Sequence, residues 1–189
     1  MVKPVSFADP EKCSEIFDSE HRVEWQNTPH VLSSLALSED TLIADVGAGT
    51  GYFASQFARL APRGKVYALD TESSMVSYMD QRFREEGLSN IETRLCEHTD
   101  PCLPESVDIV FLANVYRFIQ DRPRFLSNLH QQIDDKAMVV FVDFRGDHAR
   151  VKPAQALDEV RQAGFHIMNM DSSGCPDHYI MTFRKDACL

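Results

Sequence analysis

The chain has no excess of positive charge. Nineteen lysines and arginines face 29 aspartates and glutamates among 189 residues, a formal net charge of −10. Proteins that grip nucleic acid through its phosphates present a basic face, and anionic membranes also attract basic segments. Here the basic residues are scattered, and the densest stretch is YRFIQDRPRF, with Arg117, Arg122 and Arg124. No C-x-x-C spacing occurs either. The five cysteines, Cys13, Cys96, Cys102, Cys175 and Cys188, are odd in number. They fit thiols kept reduced better than a disulfide framework or a zinc site. There is no apolar run long enough to span a bilayer, and MVKPVSFADPEKCSE holds no apolar core of a secretory signal. The expected location is therefore cytoplasmic. Internal repeats and low-complexity segments are absent, and tryptophan occurs once, as Trp25. What remains is ordinary globular composition, 43% hydrophobic and 25% charged. That is enough for one domain with a real core and at most a small appendage.

The pattern along the chain divides at about residue 37. Before it, Asp9-Pro10 reads as an N-cap followed by proline in the first helical position, opening a helix to about Phe17. Thr28-Pro29 repeats the signal ahead of HVLSSLAL. Residues 1–37 are expected to form a helical lid, and residues 38–189 the main domain. In the latter, apolar strand-like runs alternate with helical ones. TLIADVG, KVYALD, IETRLC, VDIVFLAN and AMVVFVDF are separated by YFASQFARLA, SSMVSYMDQRFREEG, PRFLSNLHQQI and PAQALDEVRQAG. FHIMNMD and HYIMTFRK follow, joined by the turn SSGCPD. Such alternation predicts βαβ units, a mostly parallel sheet with helices on both faces, and a final pair of strands antiparallel to each other.

The first strand runs into IADVGAGTGYF, with glycines at 47, 49 and 51. In open parallel sheets a ligand sits beyond the carboxyl ends of the strands, which is where this loop falls. A dinucleotide fingerprint needs a small residue where Tyr52 stands, and a phosphate-cradling loop needs G-K-[ST], which is missing. Asp70 ends the second strand, placed to accept both hydrogen bonds of a ribose diol and poorly suited to a 2′-phosphate. Glu97 follows the third strand, placed to meet an exocyclic amine such as that of adenine. These features describe a site for an adenosine with a cationic, phosphate-free tail.

ADVGAGTGYF, GKVYALD and VDIVFLANVYRFIQDR together resemble the class I S-adenosylmethionine-dependent methyltransferases, in particular small methyltransferase-domain proteins related to the ubiquinone/menaquinone methyltransferases. The resemblance implies a three-layer, Rossmann-like α/β fold whose seven-stranded, mostly parallel sheet has an antiparallel last strand. It implies S-adenosyl-L-methionine as cofactor and no metal. It also implies roles for residues. Asp45 and the backbone of Gly47, Ala48, Gly49 and Gly51 would hold the methionine part. Asp70 would hold the ribose, and Thr71, Glu72 and Met75 would border ribose and adenine. Glu97 and the His98 backbone would meet the adenine edge, and Asn114 would face the reactive methyl. Two departures stand out. Relatives commonly carry histidines in VYHHI after the fourth strand, where this chain reads VYRFI. The glycine-rich turn usual before the fifth strand is replaced by IDDKA.

Methyl transfer from a sulfonium needs alignment and dryness more than a catalytic triad, so the acceptor side is hard to read. Candidate catalytic residues are Tyr116, Arg117 and His148, and further acceptor-side candidates are Trp25, Gln26 and Arg145. DFRGDH also gathers Asp143, Asp147 and His148, a weak cation-binding pattern. His178 and the remaining histidines show no spacing that marks a site. The leading expectation is a methyltransferase acting on a small molecule, with an apolar terminal hairpin that suits a homodimer. A macromolecular acceptor is the alternative, although the N-P-P-[YF] motif for amide or base amines is replaced by NVYRF. A non-catalytic cofactor-binding subunit is the third reading.

Overall fold

The computed structural model describes residues 7–104 and 106–186. Cys188, counted above among the thiols, lies outside them. Three short helices come first, α1 (Pro10–Phe17), α2 (Arg22–Gln26) and α3 (Thr28–Ser34). Alternating strands and helices follow: β1 (Leu42–Val46), α4 (Tyr52–Leu60), β2 (Lys65–Asp70), α5 (Ser73–Glu85), β3 (Ile91–Leu95) and β4 (Ile109–Ala113). Then come α6 (Arg122–Gln132), β5 (Met138–Phe144), α7 (Pro153–Gln162), β6 (Phe165–Asp171) and β7 (His178–Lys185).

The seven strands form one sheet in the order β3-β2-β1-β4-β5-β7-β6. Pairs among β1 to β5 are parallel, while β7 runs antiparallel to both β5 and β6. The strand order turns around between β1 and β4. Their carboxyl ends therefore part into a crevice, the usual ligand position in such sheets.

Strand alternation divides the core between the two faces. Val110 and Leu112 of β4, with Val139 and Phe141 of β5, pack against Phe125, Leu126 and Leu129 of α6 and Ala156 and Val160 of α7. Ile109 and Phe111, with Val140 and Val142, turn the other way. They meet Phe53 and Phe57 of α4, Met79 and Phe83 of α5, and Val31 of α3. The central strands are buried on both sides, which is why they read as continuous apolar runs.

The caps are mostly those the sequence announces. The Asp9 carboxylate accepts from the Lys12 N–H at 3.3 Å to open α1, and Asp121 does the same for Arg124 at 3.2 Å in α6. Thr28 is an exception, because α3 already includes it and the cap residue is Asn27, with φ +50°. Asn27 also ends α2, an element the sequence pattern does not show. Bending the chain sharply between two helices takes the left-handed conformation that asparagine tolerates. The side chain caps neither helix; its Nδ2 donates to the Gly174 carbonyl at 2.7 Å. Two more bonds tie the N-terminal helices to the β6–β7 turn. His30 Nε2 lies 2.7 Å from Asp171 Oδ2, and the Asp177 N–H donates to the Trp25 carbonyl at 3.2 Å. Among the described residues no helix is long and apolar enough to cross a membrane.

Candidate functional site

A cavity of about 870 Å³ opens at the carboxyl ends of β1 and β4, within the roughly 300–1,000 Å³ common to small-molecule sites. Its first end is made largely of backbone. After β1 the chain folds onto the end of β2, where the Gly47 and Ala48 N–H groups both donate to the Leu69 carbonyl, at 2.7 and 3.0 Å. Gly47 and Gly49 take φ of +72° and +59°, left-handed values that suit glycine. A Cβ at 47 would collide with Val115, so the loops after β1 and β4 touch across the crevice.

Asp70 fastens this loop. Its Oδ2 accepts from the Gly49 N–H at 2.8 Å and its Oδ1 from the Glu72 N–H at 3.0 Å. Burial pushes its carboxyl above the ordinary range against the pull of those bonds. Each oxygen keeps a further lone pair for a ligand. Thr71, Glu72, Met75, Glu97 and His98 continue the wall. Gly51 does not line the cavity. It begins α4 at φ +81°, and a Cβ there would strike the Phe83 ring, so its glycine serves packing behind the wall.

Asp45 is the buried charge of this end. Its side chain is 3% exposed and Oδ2 has no hydrogen-bond partner. Burial raises it to about 7, opposed chiefly by the nearby Arg22 guanidinium. Arg22 was not singled out from the sequence, yet it is only 6% exposed and lines the same cavity. Its Nε donates to Gln26 Oε1 at 2.6 Å and its Nη1 to the Phe17 carbonyl at 2.7 Å. The guanidinium carbon lies 4.2 Å from the Tyr52 ring centroid, 4.8 Å from that of Phe53 and 5.6 Å from that of Trp25. Burial lowers it to about 10, which leaves it charged at neutral pH. Gln26 is itself absent from the cavity wall and acts by holding Arg22.

Asn114 stands between the two ends with φ +62°. Its N–H donates to the Val142 carbonyl at 2.8 Å, and its Oδ1 lies 2.8 Å from His178 Nε2. His178 Nδ1 lies 3.3 Å from the Trp25 carbonyl, and the two rings are 5.5 Å apart. Burial pushes His178 down to about 4, so it is neutral in ordinary buffers. No sequence spacing joins His178 to Asn114; only the antiparallel return of β7 does.

The second end is aromatic and cationic. It is lined by Phe7, Ile16, Trp25, Arg117, Phe118, Phe144 and Arg150, among others. Arg117 faces Asp143, with Nη1 3.3 Å from Oδ1, and its backbone N–H donates to Oδ2 at 3.1 Å. Tyr116 is turned away. A single 3-10 turn, Tyr116–Phe118, sends its ring into the core beneath the site. There its hydroxyl donates to Glu159 Oε2 at 2.5 Å, beside Arg122 Nε at 2.8 Å from the same oxygen. Burial and Glu159 push the phenol up, while Arg122 holds Glu159 down to about 2. Tyr116 is therefore a core residue and not a cavity wall. His148 and Arg145 are exposed and outside the cavity, and Arg145 Nη2 donates to the Pro176 carbonyl at 2.9 Å. The DFRGDH pattern does not assemble, since Asp143 is buried against Arg117 while Asp147 and His148 face solvent. Among the described residues no three His, Cys, Asp or Glu side chains gather as a metal would need.

A family model described as Methyltransferase domain matches residues 37–186. Among curated proteins, the malonyl-[acyl-carrier protein] O-methyltransferase of Bacillus cereus is 27% identical over 103 residues, which are 54% of this chain and 37% of that protein. The chain thus spans little more than a third of the length of that relative. Among solved structures, a SAM dependent methyltransferase from Aquifex aeolicus superposes with a TM-score of 0.83 at 24% identity, covering 93% of this chain and 97% of that one. DhpI, solved as its SAH complex, gives 0.77 at 21%, covering 96% and 94%.

Proposed function

The chain belongs to the methyltransferase-domain family and has the class I fold of S-adenosylmethionine-dependent methyltransferases, and on that premise we propose that it methylates a small-molecule acceptor held in this cavity. The observation that carries the reading is the Gly49–Asp70 bond. It joins the glycine loop to the acid of the next strand, and both line the cavity that also holds Asn114 and the aromatic end.

The residues fit the cofactor. Asp45 has a carboxylate oxygen without a partner, beside an arginine held by two hydrogen bonds. That pair complements an amino acid zwitterion, with Asp45 accepting from the ammonium and Arg22 facing the carboxylate. The remaining lone pairs of Asp70 accept the ribose hydroxyls. Glu97 and the His98 backbone serve the adenine edge, with Met75 and Thr71 beside it. S-adenosylmethionine supplies, when bound, an electrophilic methyl group on a sulfonium. Asn114, held by His178 and by β5, stands at the junction where acceptor and methyl must meet. Phe7, Ile16 and Phe17 bring apolar surface from the N-terminal segment over the cavity, so residues 1–37 act as its cover and 38–189 as the binding domain. Alignment and exclusion of water are the protein's main contributions to such a displacement.

Calorimetric titration with S-adenosylmethionine, S-adenosylhomocysteine and NAD tests the reading. Micromolar binding of the first two and none of the third is expected. Binding of NAD alone, or of nothing, would sink it.

A further inference from the structure

From the departure at VYRFI and the side chains it brings together, we infer that the acceptor end binds an apolar monocarboxylate between Arg150, Arg117 and the Phe118 ring; this rests on the cavity being the methyl-transfer site. Three observations carry it.

First, two guanidiniums gather on one ring. The Arg117 carbon lies 5.0 Å from the Phe118 centroid and that of Arg150 4.8 Å from it. Cations on an aromatic face are stabilised there, yet keep their outward N–H groups for an anion. Second, their partners are unequal. Arg117 spends Nη1 on the buried Asp143. Arg150 makes no ion pair or hydrogen bond to any described residue. The three groups together carry one net positive charge, which matches a monoanion better than a dianionic phosphate. Asp121 and Asp177 also line the cavity, the first capping α6 and the second near His178, and neither forms an ion pair with Arg117 or Arg150. Third, the surroundings are apolar. Phe7 meets the Phe118 edge at 5.3 Å, and Trp25, Phe144 and Ile16 continue the wall. A charge-assisted pair to the half-buried Arg117 is less screened than one at an open surface, while Arg150 stands exposed beside it. An acceptor lacking the anion would leave the outward N–H groups of Arg150, an exposed residue among those lining the cavity, to solvent alone.

The test uses the full chain saturated with S-adenosylhomocysteine. Phenylacetate, 2-naphthoate and octanoate are titrated against their carboxamides, with phenyl phosphate as a further probe. At least one acid is expected to bind tenfold or more tighter than its amide. Arg150→Gln should abolish that preference while leaving the affinity for S-adenosylhomocysteine and the melting temperature unchanged. Arg117→Lys keeps the charge beside Asp143 but loses the planar fork, and should weaken the acid by a smaller factor. Acids and amides binding alike, no acid binding to the saturated protein, or a preference for phenyl phosphate would each overturn the inference. Should S-adenosylhomocysteine fail to bind, the methyl-transfer reading falls. The acid panel is then run on ligand-free protein, where a preference lost in Arg150→Gln would still support the anion site, and no preference would end it.

Discussion

The cavity has two ends built on different plans. The end under β1, β2 and β3 comes from three short runs, residues 45–49, 70–75 and 96–98, each directly after a strand. Its shape is set by two left-handed glycines and one clamping carboxylate. The opposite end comes from side chains contributed by α1, α2, the 3-10 turn, the end of β5 and the start of β7. Backbone geometry restricts which residues can stand at a position, whereas an apolar wall accepts many. The first end is thus suited to one shared ligand, and the second to variation between relatives.

Four experiments press on that contrast. Asp70→Ala removes both the loop clamp and the proposed ribose acceptor. Affinity for S-adenosylhomocysteine should fall by on the order of 2–4 kcal/mol, the worth of one or two hydrogen bonds to a charged group. An unchanged titration would refute the ribose assignment. Gly47→Ala places a side chain at positive φ and against Val115. It should cost about 2–3 kcal/mol of the same affinity from backbone and steric strain; binding within threefold of the parent would show that the loop is only a turn.

Asp45 gives a smaller effect with a definite sign. Its folded value, about 7, lies above the ordinary 3.8. In the ligand-free protein this group therefore favours folding most at and below pH 3.8, and that contribution is lost as pH rises through 7. A ligand ammonium needs the ionised form. Affinity should fall below pH 7, by up to roughly tenfold per unit, with proton release on binding. Titrations at pH 6, 7 and 8 in buffers of different ionisation enthalpy would read this, and Asp45→Asn should flatten the profile. A flat profile in the parent would remove Asp45 from the ligand. Tyr116→Phe is the mildest change and the sharpest control. It should lower stability by about 1.5 kcal/mol, the lower end for a bond to a charged acceptor, through the lost Glu159 bond, seen in thermal melts, and leave S-adenosylhomocysteine binding alone.

The same contrast explains what could be read beforehand. The alternation of strands and helices, the helices on both faces and the loop with its acids follow from periodicity and from residue types at strand ends. Spacing does not say which glycine faces the crevice and which, like Gly51, makes room for Phe83. Tyr116 lies in the core and not in the cavity for a local reason. A 3-10 turn sends neighbouring residues to different sides, so Arg117 meets the cavity and Tyr116 the core. Arg22, His178 and Arg150 carry no signal of their own. They matter because α2, the loop between β5 and α7, and the start of β7 meet at one cavity, a tertiary fact with no periodic trace.

The bonds between α2–α3 and the β6–β7 turn have a consequence for synthesis. Asn27 reaches Gly174 across 147 residues, and His178 reaches the Trp25 carbonyl across 153. Contacts so distant in sequence form late, after the entropy of closing the intervening chain has been overcome. On a ribosome the glycine loop, β2 and β3 emerge while the turn that anchors the N-terminal helices is still unmade. A growing chain therefore carries the residues of the glycine-loop end well before the opposite end has its β7 wall and the N-terminal helices have their anchor. That wall and that anchor are finished together, in the last step of the fold.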